Sequence, residues 1–202
     1  MRRTLTTLAV VIGLGCGETG EPASIDDLVR SLQLDSPVDL DVDCPPIPAE
    51  AERILIAGVF QNSPPIRPGS ADFPADFCPS NTIFYADADG HGDSSILGEF
   101  AWSERYCVVA GSDLIAQGYF AGRNGDRIEW DAHIRPDSVP PPIPFATFSG
   151  SFTFTDGTGA FAGAHGEATV FARQLGDATP GRPAGTTAAA LCGWIVRSGE
   201  RG

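Results

Sequence analysis

The sequence predicts an all-β domain built from about eight short antiparallel strands. Glycine and proline are abundant, 24 and 17 of 202 residues, which favours strands joined by turns over long helices. From residue 53 onward, apolar side chains recur with period two in short runs set apart by turn residues, the pattern of strands with one buried face. Strands of that number and spacing close into a barrel or pack as a sandwich. At 42% hydrophobic and 19% charged residues the chain can build a core, and its length suits one domain of ordinary size with a tail.

Residues 53–60 are apolar on both faces, and the loop that follows carries Pro64, Pro65, Pro68, Pro74 and Pro79. Runs at 82–86, 95–102, 105–109 and 114–120 read as further strands, the last turning through Asn124-Gly125, a strong hairpin signal. Residues 127–134 alternate cleanly, with Arg127, Glu129, Asp131 and His133 on one face and Ile128, Trp130, Ala132 and Ile134 on the other. After a proline-rich break at 136–144, Phe148, Gly150, Phe152 and Phe154 point inward, and Asp156-Gly157-Thr158-Gly159 turns the chain. Residues 167–173 and 188–196 supply the last strands.

The segment from Phe152 to Gly166, which holds Asp156-Gly157-Thr158-Gly159-Ala160-Phe161-Ala162-Gly163, resembles the glycine-rich hairpin of bacterial exported β-proteins. It is also similar to the corresponding segment of dirigent proteins and relatives with an allene oxide cyclase-like barrel. Leu97-Gly98-Glu99-Phe100 followed by Asn124-Gly125-Asp126 fits the same layout. The resemblance covers roughly residues 96–171 and implies an antiparallel eight-stranded barrel of the allene oxide cyclase/dirigent type, preceded by a signal peptide and a flexible tether. Its glycines allow positive φ and tight closure, and Phe161 is placed to plug one barrel end. It brings no catalytic residue with it.

The first residues read as an export address. Arg2 and Arg3 precede an uncharged apolar stretch at 5–14, which is shorter than the roughly 20 residues of a membrane span and fits the core of a signal peptide, residues 1–15. Cys16 at its end resembles the lipobox cysteine of bacterial lipoproteins, which becomes the acylated first residue. The pattern departs at Gly13, where that family prefers Leu; Leu14 lies two before the Cys. Ordinary signal cleavage nearby is the alternative. Residues 16–50 read as an acidic tether, either a solvated stalk or bearing a short amphipathic helix in which Ser24 caps and Ile25, Leu28, Val29 and Leu32 share a face. Residues 51–198 form the barrel domain and 199–202 a tail.

Five cysteines become four once Cys16 is set aside: Cys44, Cys78, Cys107 and Cys192. An even set in an exported chain implies two disulfides with three possible connectivities. Pairing Cys44 with Cys78 would pin the tether to the proline-rich loop, and pairing Cys107 with Cys192 would join strand to strand; this is the expected arrangement.

Charge and motifs exclude several classes. All 13 basic residues are Arg, so there is no Schiff-base or P-loop lysine. The net charge of -13 falls to about -15 without Arg2 and Arg3 (11 basic, 26 acidic), and an acidic chain without a basic stripe is no nucleic-acid binder. No CxxC, HxH or HExxH spacing exists, so no metal site and no cofactor is expected. Asp87, Asp89 and Asp93 with Gly90 and Gly92 have the oxygen density of a calcium loop, but a solvated acidic turn explains them better. Glu99 is read as a surface carboxylate; a bulge at Gly98 would instead turn it into the barrel as an acid or base.

Two functions follow: an exported lipoprotein, held to the membrane through its anchor, whose barrel is structural or binds a small apolar ligand; or a barrel isomerase or cyclase acting on a hydrophobic substrate. An ionisable side chain pointing inward would separate them, and the alternation above puts none there. Trp102, Trp130, Phe152 and Trp194 fall on apolar faces and are the candidate ligand-binding residues. The large aromatics argue for a packed barrel with a modest apolar cavity at one mouth, opened by small residues such as Gly118, Ala132 and Gly150.

Overall fold

The computed structural model describes residues 24–32, 40, 42–111, 113–137, 147–175 and 185–198. The expected signal peptide, the lipidation residue Cys16 and the tail at 199–202 lie outside them.

Eight antiparallel strands, β1 (Glu52–Asn62), β2 (Thr82–Ser94), β3 (Gly98–Val109), β4 (Leu114–Gly122), β5 (Arg127–Pro136), β6 (Thr147–Thr158), β7 (His165–Gln174) and β8 (Thr186–Val196), pair each with the next. β1 also pairs with β8, from Glu52↔Ile195 to Gln61↔Thr186, so the barrel is closed. Closure leaves no strand edge free.

Period two decides what enters the barrel. Ile54 and Ile56 of β1, Phe100 and Trp102 of β3, Phe120 of β4, Ile128 and Trp130 of β5, Phe152 and Phe154 of β6 and Leu191 of β8 meet in one buried core. Its centre is a stack of rings around Trp102, whose centroid lies 4.9 Å from Phe120, 5.0 Å from Phe60 and 6.1 Å from Trp130. Glycine gives these rings room at two points: a β-carbon on Gly58 would come within 2.9 Å of the Trp102 indole, and one on Gly118 within 2.7 Å of Trp130. Gly118 therefore opens no cavity; Trp130 fills the space. At one end of the barrel the single 3-10 turn Gly159–Phe161 seats Phe161 in the core as a plug, as the glycine hairpin suggested, with the Arg197 guanidinium 4.9 Å above the ring.

The strand boundaries at residues 85–109 differ from the sequence reading. Tyr85 to Asp93, expected as an acidic loop, is part of β2. Ala86, Ala88, Gly90 and Gly92 are small enough to lie under β3 aromatics, while Asp87, Asp89, His91 and Asp93 take the outer face. The chain turns at 95–97, where Gly98 has φ +64°, and the two runs 95–102 and 105–109 are one continuous strand, β3.

Of the alternatives for residues 16–50, the described part shows the packed helix. α1 (Ile25–Ser31) is capped by Ser24 and Asp27 in a reciprocal capping box. Leu28 packs on Leu55, Ala57 and Cys192, and Leu40 on Ala188 and Ala190, so β1 and β8 have an outer face that is also buried.

Both disulfides form, but with other partners than expected: Cys44 bonds Cys192, and Cys78 bonds Cys107. Cys192 and Cys107 point away from each other's strands, onto the outer face at different places. Cys192 lies beneath the N-terminal segment that carries Cys44, and Cys107 lies under the proline-rich loop, against Cys78, Tyr85, Ile66, Phe73 and Phe77. Disulfides of this kind belong to an oxidising compartment. Trp194 also requires correction. It shares the outer face of β8 with Cys192 and stands opposite Arg53 and Glu167, half-buried outside the barrel. Because residues 187–193 are buried on both faces, period two cannot assign this strand a direction.

Candidate functional site

The continuity of β3 places a charge inside the barrel. Trp102, Glu104 and Tyr106 follow one another on its inner face, and Glu104 is 8% exposed. Opposite it stand Ala88 on β2 and Gly118 on β4. Its Oε2 accepts a 3.0 Å hydrogen bond from the indole nitrogen of Trp102, the single hydrogen bond that this carboxyl makes among the described residues. Burial raises its pKa from 4.5 to about 7, the indole N–H opposing and the Asp89 charge on the outer wall adding to the rise.

Above Glu104, at the end where β1 finishes and β2 begins, a cavity of about 80 Å³ opens between Phe60, Tyr106, Ala116, Phe148 and Ala172, with Asn62 and Thr187 at the side. By comparison, ~10–15 Å³ of such space holds one water, so the room suits a molecule of a few heavy atoms. Its walls are apolar because each belongs to the inner face of its strand; it exists because Ala116, Ala172 and Thr187 stand where Trp102, Trp130 and Phe152 fill the middle of the barrel. The polar atoms are few. The Asn62 amide donates to the backbone oxygen of Gly185 at 3.0 Å, and its buried side-chain oxygen has no partner among the described residues. Burial first, and the Glu104 charge second, push the Tyr106 phenol well above its usual range.

Of the candidate ligand-binding residues, Trp102, Trp130 and Phe152 are packed together below this cavity rather than around it, and Trp194 is outside the barrel. Glu99 lies on the surface, paired with Arg123. His91, His133 and His165 are all exposed. Among the described residues no group of three or more His, Cys, Asp and Glu side chains could hold a metal ion.

No family model and no curated protein matches this chain. The barrel is similar to one solved structure, that of a pterocarpan synthase dirigent protein, over 77% of this chain and 91% of that one, with 13% identity and a TM-score of 0.39. No site residue takes a role from that likeness.

A second hollow, of about 330 Å³, lies in the wall between Asp87, Arg105, Gln117, Tyr119, Glu129 and Asp131, with Glu104 also bordering it. Four of its groups have partners. Asp87 accepts from the Tyr85 hydroxyl, Arg105 lies 4.4 Å above the Phe77 ring and donates to the Gln117 side-chain oxygen in the orientation that faces it, and Arg127 covers Tyr119 at 4.4 Å.

Proposed function

We propose that the chain is an exported, lipid-anchored protein whose barrel binds a small, mostly apolar molecule at the mouth above Glu104. The observation that carries the binding is the cavity itself, an apolar space with a few convergent polar atoms inside an otherwise filled barrel. Anchoring rests on the place of Cys16 after the apolar stretch, and a cysteine that carries two or more acyl chains would hold the protein stably to a membrane. The binding test is Ala172→Leu, which fills the cavity from β7. Binding of short apolar alcohols, followed by chemical-shift titration, disappears in this variant while the unfolding midpoint stays or rises. Unchanged binding would place the ligand elsewhere. For the anchor, radiolabelled fatty acid enters the wild type and not Cys16→Ser; equal labelling of both removes Cys16 from the proposal.

A barrel isomerase is the second reading, favoured by one observation, an inward carboxyl poised near neutrality. A group titrating near the working pH can both take and give a proton. Under that reading Glu104→Gln abolishes turnover while leaving substrate binding in place.

A further inference from the structure

Inside the barrel, charge is present on one side only. Glu104 brings a carboxylate, and among the described residues that line the cavity none is basic: Phe60 and Asn62 face it from β1, Ala86 and Ala88 from β2, Ala116 and Gly118 from β4. Ile134 and Trp130 of β5, Phe148 of β6, Ala172 of β7 and Thr187 of β8 complete the surround without a positive charge. The one further titratable group lining the cavity is the neutral Tyr106 phenol; on the outer wall the like-signed Asp89 acts on Glu104, and Asp87, Arg105, Glu129 and Asp131 line the hollow on the other side of the wall. A buried carboxylate without a partner is costly, and it is relieved by a proton or by a cation. Aromatic faces at Phe60, Tyr106 and Phe148 attract positive charge as well.

We infer that the mouth cavity selects small apolar amines, taken as ammonium ions, whose N–H groups bond the Glu104 carboxylate while the hydrocarbon part lies against the aromatic wall. This rests on the binding reading above and names its ligand class. An ammonium supplies three donors and a charge, and the Glu104 carboxylate offers the opposite charge and an oxygen, Oε1, that accepts no hydrogen bond among the described residues. The net charge of -13 raises the local concentration of such cations around the molecule. Binding is proton-linked: an ammonium needs ionised Glu104, so occupancy grows as pH rises through neutrality, and the ligand in turn lowers the Glu104 pKa.

The Trp102 indole N–H, which donates to Glu104, reports both quantities in one nuclear magnetic resonance experiment, its signal assigned by its loss in Trp102→Phe. The probes are n-butylammonium and 1-butanol, chains of the same length that differ in charge. Saturating n-butylammonium is expected to move the midpoint of the indole titration down by at least one pH unit, whereas 1-butanol leaves it in place or raises it. At pH 8 the amine binds at least tenfold tighter than the alcohol; at pH 5, or in Glu104→Gln, that preference disappears. If the alcohol binds but the amine binds no better, or if the midpoint rises with amine, the amine inference fails and the apolar pocket stands. If neither probe shifts any resonance from the cavity walls, the binding reading fails and this inference with it. The wild-type titration decides the matter even should Glu104→Gln fold poorly.

Discussion

Trp130 and Glu104 sit two strands apart in the same interior and respond to opposite pressures. Trp130 is fully buried among Trp102, Phe120 and Phe152, with the Phe152 centroid 4.5 Å away. Truncation to Ala removes those contacts and leaves a void, and is expected to cost about 3–5 kcal/mol. Thermal unfolding beside the exposed control Glu129→Ala measures it, and an unmoved midpoint would show that the stack is not what holds the barrel. Glu104 acts through protons. Its native pKa, about 7, stands above the unfolded value of 4.5, so the folded chain holds the proton longer than the unfolded one. Its contribution is complete below about pH 4.5 and is lost as pH rises to 7, roughly 3 kcal/mol in all. Stability curves of wild type and Glu104→Gln, compared between pH 4 and 8, should diverge over that window, the variant gaining relative to wild type at the alkaline end; parallel curves would contradict the burial. The first of these residues is legible in the sequence, since Ile128, Trp130 and Ala132 alternate against Arg127, Glu129 and Asp131. The second is not: the polar run Ser103-Glu104-Arg105 looks like a break between strands, and only carrying the period from Phe100 through Trp102 onward would place Glu104 inside.

Strands and segments show where alternation stops being informative. β5 and β6 each have one wet face, and their inward residues follow from the sequence without ambiguity. β1 and β8 do not, because α1, Leu40 and Val42 cover their outer side. A face buried by a neighbour reads the same as a face buried in the core, and Trp194 falls on the wrong side for that reason. β2 is hidden differently, since Ala, Gly and Asp carry little strand preference and its inward side is defined by the rings it must accommodate. The N-terminal segment is held by Cys44–Cys192, which closes a loop with a separation of 148 residues. Chain entropy assigns such a link about 5 kcal/mol. The pair of replacements Cys44→Ser and Cys192→Ser should therefore lower stability by several kcal/mol and free α1 from the barrel wall, seen as faster amide exchange at Leu55 and Ala57. Exchange that stays slow would mean that Leu28 and Leu40 hold the segment without the bond.

At the scale of the whole molecule, the all-β class and the barrel are legible early, from the number of runs, the turn residues between them and the glycine hairpin. Closure is a statement about partners far apart in the chain, and no local pattern encodes the meeting of Glu52 with Ile195. Contacts of such long range make folding slow relative to helical proteins of the same size. The nesting of the two disulfides has a further consequence for how the molecule is born. Of its four paired cysteines, a chain made and delivered from its N terminus presents Cys44 first, then Cys78, then Cys107, and Cys192 last. For most of its emergence the thiol of Cys44 therefore has every partner available except the right one, and its nearest neighbour in the chain, Cys78, is the one it must leave for Cys107. Maturation becomes a problem of timing: an oxidant that acts too early locks in a misjoined species, so the newborn protein depends on thiol exchange, and pulse-alkylated samples should pass through a Cys44–Cys78 form before the mature pair appears.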